Sequence, residues 1–112
     1  MDIRKAEQDG VTIVSMGGRL DAAGSPEVEA FCRGLMDAGE VRQLLDMTEV
    51  EYISSAGLRS LLVVAKQIKA AGGVLVLCSL APMVREVMEI SGFDKILVLA
   101  ADRDAARAQF EN

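Results

Sequence analysis

Histidine and tryptophan are both absent from this chain of 112 residues. Without an imidazole there is no Ser-His or Cys-His pair to activate a nucleophile. A zinc site would also lack its commonest ligand. Aromatic residues make up only 4%, which weakens any case for a platform that stacks bases or sugars. The two cysteines, Cys32 and Cys78, each sit inside an apolar pattern and read as buried, reduced thiols. No Lys/Arg run relieves the net charge of −5, so nucleic acid and anionic membranes are poor partners. No apolar stretch approaches the ~20 residues of a membrane span, and the opening "MDIRKAEQDG" has no apolar signal core. The expectation is a cytoplasmic protein with no metal, no cofactor and no membrane insertion.

What is present suits a globular domain. Hydrophobic residues are 51% and charged residues 26%, and the length suits one core. There is no internal repeat, low-complexity tract or linker, so one domain is expected over 1–112. Asp9-Gly10 marks a hairpin between two strands, the second carrying Val11, Ile13 and Val14, broken at Gly17-Gly18 and ended by "RLD". "GSPEVEAFCRGLMDAGE" predicts a helix capped by Ser25, opened by Pro26 and stopped at Gly39. Val28, Phe31, Cys32 and Leu35 share its apolar face.

"VRQLLDMTEV" predicts a strand. "SSAGLRSLLVVAKQIKAAGG" predicts a second helix with Leu58, Leu61, Leu62, Ala65 and Ile68 on its inward stripe. "VLVLCSL" reads as a buried strand. "APMVREVMEISGF" reads as a helix begun by Pro82 behind the weak cap Ala81, with Val84, Val87 and Met88 inward and Gly92 at its end. "KILVLA" reads as a last strand, and "DRDAARAQF" as a short helix capped by Asp102. The order ββαβαβαβα calls for an α/β fold: a mixed, mostly parallel sheet of about five strands packed against about four helices.

Two hydroxyls, Ser54 and Ser55, stand where a strand hands over to a helix. From the residues alone they read as helix caps, as a nucleophile, as a phosphate cradle or as a phosphate acceptor. Catalysis by Ser55 is poorly supported, with no His, no obvious Lys base and no G-x-S-x-G elbow. There is no P-loop pattern either. Gly57 either admits a close backbone or partner approach or packs helix on sheet. Val63 points away from the inward stripe, on the side of Arg59, Lys66 and Gln67. One apolar residue among long polar ones fits a docking surface, though a lone exposed Val also needs no explanation.

Three segments, "GGRLDAAGSPEVEA", "LLDMTEVEYISSAGLRSLL" and "LAPMVREVMEISGFDKIL", give the chain a family likeness. It resembles the STAS domain, specifically the stand-alone anti-sigma factor antagonists. In that family the serine after the motif's Asp is phosphorylated. The resemblance places that acceptor at Ser55, with Ser54 at the Asp position and as a candidate second acceptor. The chain thus has Ser-Ser-Ala-Gly-Leu where the family has Asp-Ser-Ser-Gly-Leu. Asp21 falls at the family's acidic position in the neighbouring loop.

The resemblance implies a non-enzymatic switch. The unphosphorylated form would bind an anti-sigma factor that is also a serine kinase, so releasing a sigma factor. A serine/threonine phosphatase would reset it. The partner-facing residues would be Asp21, Ser54, Ser55, Ala56, Gly57, Arg59 and Val63. The alternative is a STAS scaffold in another assembly, such as a lipid-transport ABC complex, without phosphorylation. Oligomeric state stays open between monomer and weak dimer.

Overall fold

The computed structural model describes residues 1–111. Strands β1 (Asp2–Gln8) and β2 (Val11–Leu20) form the hairpin. Helix α1 (Ser25–Asp37), strand β3 (Arg42–Ile53), helix α2 (Ser55–Ala70), strand β4 (Val74–Cys78) and helix α3 (Pro82–Ile90) follow. A 3-10 turn at Phe93–Lys95, strand β5 (Val98–Ala100) and helix α4 (Arg103–Ala108) end the chain. The sheet order is β1-β2-β3-β4-β5. Only β1 runs antiparallel to its neighbour, and the other three pairings are parallel. The order ββαβαβαβα and the mostly parallel sheet are as the sequence predicts.

Because β2 to β5 are laid down in sequence order, right-handed crossovers put α1, α2 and α3 on the same face. The packing shows this layering. Val14, Met16, Leu45, Met47, Leu75 and Leu77 of the sheet join Val28, Cys32, Leu61, Val64, Ile68, Val84 and Met88 in one core. Alternate strand residues point the other way. Val11, Ile13, Leu44, Val76 and Cys78 meet Ala106 and Phe110, so α4 covers the opposite face.

Four local expectations are corrected. Gly17-Gly18 do not break the pairing of the second strand, which ends within "RLD" as expected. It runs on to Leu20, with register shifts at both glycines and Gly18 at φ +105°. The glycines bend the strand without unpairing it, as bulges do. Ser25 does not cap α1. The cap position is Gly24, with no side-chain bond to it, and the free N–H groups of the loop go to Asp21 instead. The last strand is shorter than "KILVLA": Phe93–Lys95 turns, and Ile96 is exposed. Only three residue pairs hold this edge to β4.

The inward stripe of α2 is also rotated. Gly57, Leu58, Ser60, Leu61, Val64 and Ile68 are buried, while Leu62 and Ala65 are half-buried. "LLVVA" is apolar all round, so spacing alone cannot choose the arc. Gly57, whose missing Cβ lets the helix start against Leu20 and Ile53, sets the arc, and the small Ser60 is buried along it.

Candidate functional site: the junction of two strand ends

The two segments singled out in sequence meet at the C-terminal ends of the adjacent strands β2 and β3. There the chain leaves one strand for α1 and the other for α2. The ends are stitched together by the Ser54 N–H, which donates to the Leu20 carbonyl at 3.0 Å. Leu20 directly precedes Asp21, so this bond brings the Asp21 loop beside the serines.

The two serines do different things. Ser54 has extended backbone angles (φ −99°, ψ 175°) and is the N-cap of α2. Its Oγ accepts from the Gly57 N–H at 3.2 Å and lies 3.5 Å from the Leu20 carbonyl oxygen. The first N–H groups of a helix lack intrahelical partners, and a serine at this position satisfies one of them. The Ser54 hydroxyl is therefore spent inside the fold. Ser55 is the first helical residue and is exposed. Its hydroxyl makes no hydrogen bond among the described residues.

Ala56 is half-buried, and Gly57 is buried. A Cβ on Gly57 would collide with the Leu20 carbonyl oxygen and lie 3.0 Å from both Ile53 Cγ1 and Leu20 Cγ. Gly57 thus faces the strands, and its missing side chain lets α2 start against the sheet.

Asp21 organises the turn into α1. Its Oδ1 accepts from the N–H groups of Ala23 and Gly24, both at 3.1 Å, and the Ser25 hydroxyl donates to its carbonyl. Arg19 Nε lies 3.6 Å from Oδ2. The Gly24 N–H holds the Asp21 carboxyl below the ordinary value of 3.8. Burial opposes this, and the Ala23 N–H and the Arg19 charge add to it. The Arg19 guanidinium also lies 4.2 Å from the centre of the Tyr52 ring, a cation–π contact. Arg19 and Tyr52 are register partners on β2 and β3. Sequence reasoning missed this pair, although it needs only the strand register to be found.

Further along α2, Arg59 is exposed and Val63 is half-buried. Helix α2 carries Arg59, Lys66 and Lys69 and no acidic residue. The junction therefore gathers Asp21, Ser54, Ser55, Ala56 and Gly57, while Arg59 and Val63 extend from it along the helix.

A second polar cluster lies on the α4 side of the sheet and was also missed. Asp46 of β3 accepts from Arg103 Nε at 2.7 Å, and Arg103 reaches the Ser15 hydroxyl at 3.2 Å. Burial pushes the Asp46 carboxyl up, but bonds from the Thr48 hydroxyl and N–H and from Arg103 outweigh it, leaving the pKa below 3.8. A lone Asp between Leu45 and Met47 in a central strand was the available signal. This cluster anchors α4.

The cysteines are free and buried, and burial pushes the Cys32 thiol up to about 12. Among the described residues no His/Cys/Asp/Glu group could hold a metal ion, and no helix is long and apolar enough to cross a membrane.

Comparison with known proteins agrees with this architecture. The family model described as the STAS domain matches residues 2–106. BtrV, a candidate anti-sigma factor antagonist of Bordetella bronchiseptica, is 48% identical over 103 residues, covering 92% of this chain and 89% of that protein. The crystal structure of a candidate anti-sigma factor antagonist from Thermotoga maritima has a TM-score of 0.88 at 21% identity, covering 96% of this chain and 92% of that one. The Bacillus cell fate determinant SpoIIAA in its phosphorylated form has a TM-score of 0.71 at 17% identity, covering 98% and 100%. These two structures share the fold.

Proposed function

Given that this chain belongs to the STAS domain family, we propose that it is an anti-sigma factor antagonist switched by phosphorylation of Ser55. It is a regulatory binding protein, not an enzyme. In the bacterial cytoplasm the unmodified form binds an anti-sigma factor that is also a serine kinase, and a sigma factor is released. The kinase then uses ATP to modify Ser55 and ends the interaction, and a serine/threonine phosphatase restores the hydroxyl.

One observation carries this reading. Ser55 is exposed, and its hydroxyl is unbonded at the first turn of α2, while the neighbouring Ser54 hydroxyl is engaged as the cap. A phosphate at Ser55 would break no existing bond. It would also sit at the positive end of the helix dipole, which tolerates an anion. Its charge of about −1.5 to −2 at pH 7 would act outward.

A partner fitted to a neutral hydroxyl would have to desolvate that charge. A cost of several kcal/mol is reasonable, and ~1.4 kcal/mol is already tenfold in affinity. The Asp21 carboxylate beside the junction would add to the repulsion. Ala56, Arg59 and Val63 supply the rest of the contact surface, and Ser54 and Gly57 hold it in place. The 48% identity to BtrV supports the antagonist role. The phosphorylated form of SpoIIAA shows that one protein of this fold accepts a phosphate.

The test is intact mass after incubation with ATP and the cognate kinase. One added phosphate is expected on the wild type and none on Ser55→Ala. An unmodified wild type, or a fully modified Ser55→Ala, would sink the assignment. The alternative, a scaffold in an assembly such as a lipid-transport ABC complex, is favoured by Ser54 standing where the family has an acid. Recovery of membrane ATPase subunits in a pulldown, in place of a soluble kinase, would support it.

A further inference from the structure

Ser55 and Arg59 are four residues apart on α2, and both are exposed. Residues at this spacing are neighbours one turn apart on one face of a helix. Arg59 is otherwise unengaged: no carboxylate lies within ion-pair distance of it among the described residues. Its own helix offers none, because α2 has no Asp or Glu.

We propose that Arg59 captures the phosphate once Ser55 carries one, closing an ion pair along the helix. This deepens the assignment of Ser55 as the acceptor and rests on it. The order is the favoured one, with the anion N-terminal to the cation at i,i+4. The planar guanidinium matches phosphate oxygens with paired N–H donors. The consequence concerns the partner. In the unmodified protein Arg59 is a free cation on the docking stripe that leads to Val63. After modification its charge is turned to the phosphate. Phosphorylation thus withdraws an attraction for an acidic partner group while it adds a repulsion at Ser55.

The experiment places phosphoserine at position 55 of the full chain by genetic incorporation, so no kinase is needed. The phosphate is then titrated by phosphorus NMR in the wild type and in Arg59→Gln. A phosphoserine ordinarily has its second pKa near 6. The helix dipole acts on both proteins alike and cancels in the comparison. Capture predicts a second pKa lower in the wild type than in Arg59→Gln by roughly 0.3 pH units or more. Equal values in the two proteins overturn the proposal. The kinase assay above is independent: it can fail while this titration still reports capture, and the titration can fail while Ser55 remains the acceptor.

Discussion

Replacing Gly57 by alanine should destabilise the domain, although alanine is the better helix former. The gain from propensity is at most ~1 kcal/mol. Against it stands the Leu20 carbonyl oxygen, which the new methyl would strike, with Ile53 Cγ1 and Leu20 Cγ each at 3.0 Å. The first of these is backbone and cannot rotate away. It also accepts the Ser54 N–H at 3.0 Å, so pushing it aside breaks the stitch between β2 and β3. Overpacking of this kind costs about 1–3 kcal/mol, and the lost bond about 0.5–1.5 kcal/mol.

The net is a loss of about 1–3 kcal/mol. At ~4 °C per kcal/mol for a chain of this size, the melting temperature should fall by roughly 4–12 °C. Gly34→Ala is the matched control. Gly34 lies in α1 with nothing within 4 Å of its would-be Cβ, so there only the propensity gain operates and stability should rise. Urea denaturation of both variants gives the two signs. If Gly57→Ala were as stable as the wild type, the close seating of α2 on Leu20 would be wrong.

Two further outcomes follow from the junction and the α4 anchor. Ser54→Asp restores the acid at the family's position. Asp caps as well as Ser and its charge suits a helix start, so the urea midpoint at pH 7 should be unchanged or raised by up to ~1 kcal/mol equivalent. Asp46→Asn should cost about 1–2 kcal/mol at pH 7, because Arg103 loses its carboxylate but stays half in water. Since the folded pKa of Asp46 lies below 3.8, its contribution is whole above that value and is lost as the pH falls through the range beneath it. Stability profiles of wild type and Asp46→Asn should therefore converge on acidification. A gap that widens toward low pH would contradict the assigned direction.

The element order, the hairpin at Asp9-Gly10 and the Asp102 cap were legible because each has a local cause. Asp102 Oδ1 accepts from the Ala105 N–H at 2.8 Å, as a cap residue before a short helix should. What was not legible depends on groups far apart in sequence. The cap of α1 was assigned to Ser25 by residue type, yet Asp21, four positions earlier, takes the loop N–H groups. The inward arc of α2 could not be read from an all-apolar run, because contacts to β2 and β3 set it. Asp46 and Arg103 are 57 residues apart, and only the fold of α4 over the second sheet face explains either. The junction itself was legible as a place through Ser54 and Ser55. Its stitch through the Leu20 carbonyl was not, since a backbone acceptor leaves no mark in sequence.

The geometry of that stitch bears on the proposed choice of Ser55 over Ser54 as phosphate acceptor. Phosphoryl transfer needs the attacking hydroxyl oxygen accessible to the kinase and in line with the transferred phosphoryl group. The Ser54 oxygen already accepts the Gly57 N–H and is half-buried beneath Leu20. Reaching it means undoing the cap, worth about 1 kcal/mol, and lifting the helix start from the strand ends. The Ser55 oxygen requires neither. Under the proposed phosphorylation, a preference of Ser55 over Ser54 would then follow from the fold, before any recognition by a kinase. Under the same proposal a serine at position 54 in place of an acid would not by itself redirect the phosphate, because the same hydroxyl that makes it an acceptor in principle is the one that caps the helix.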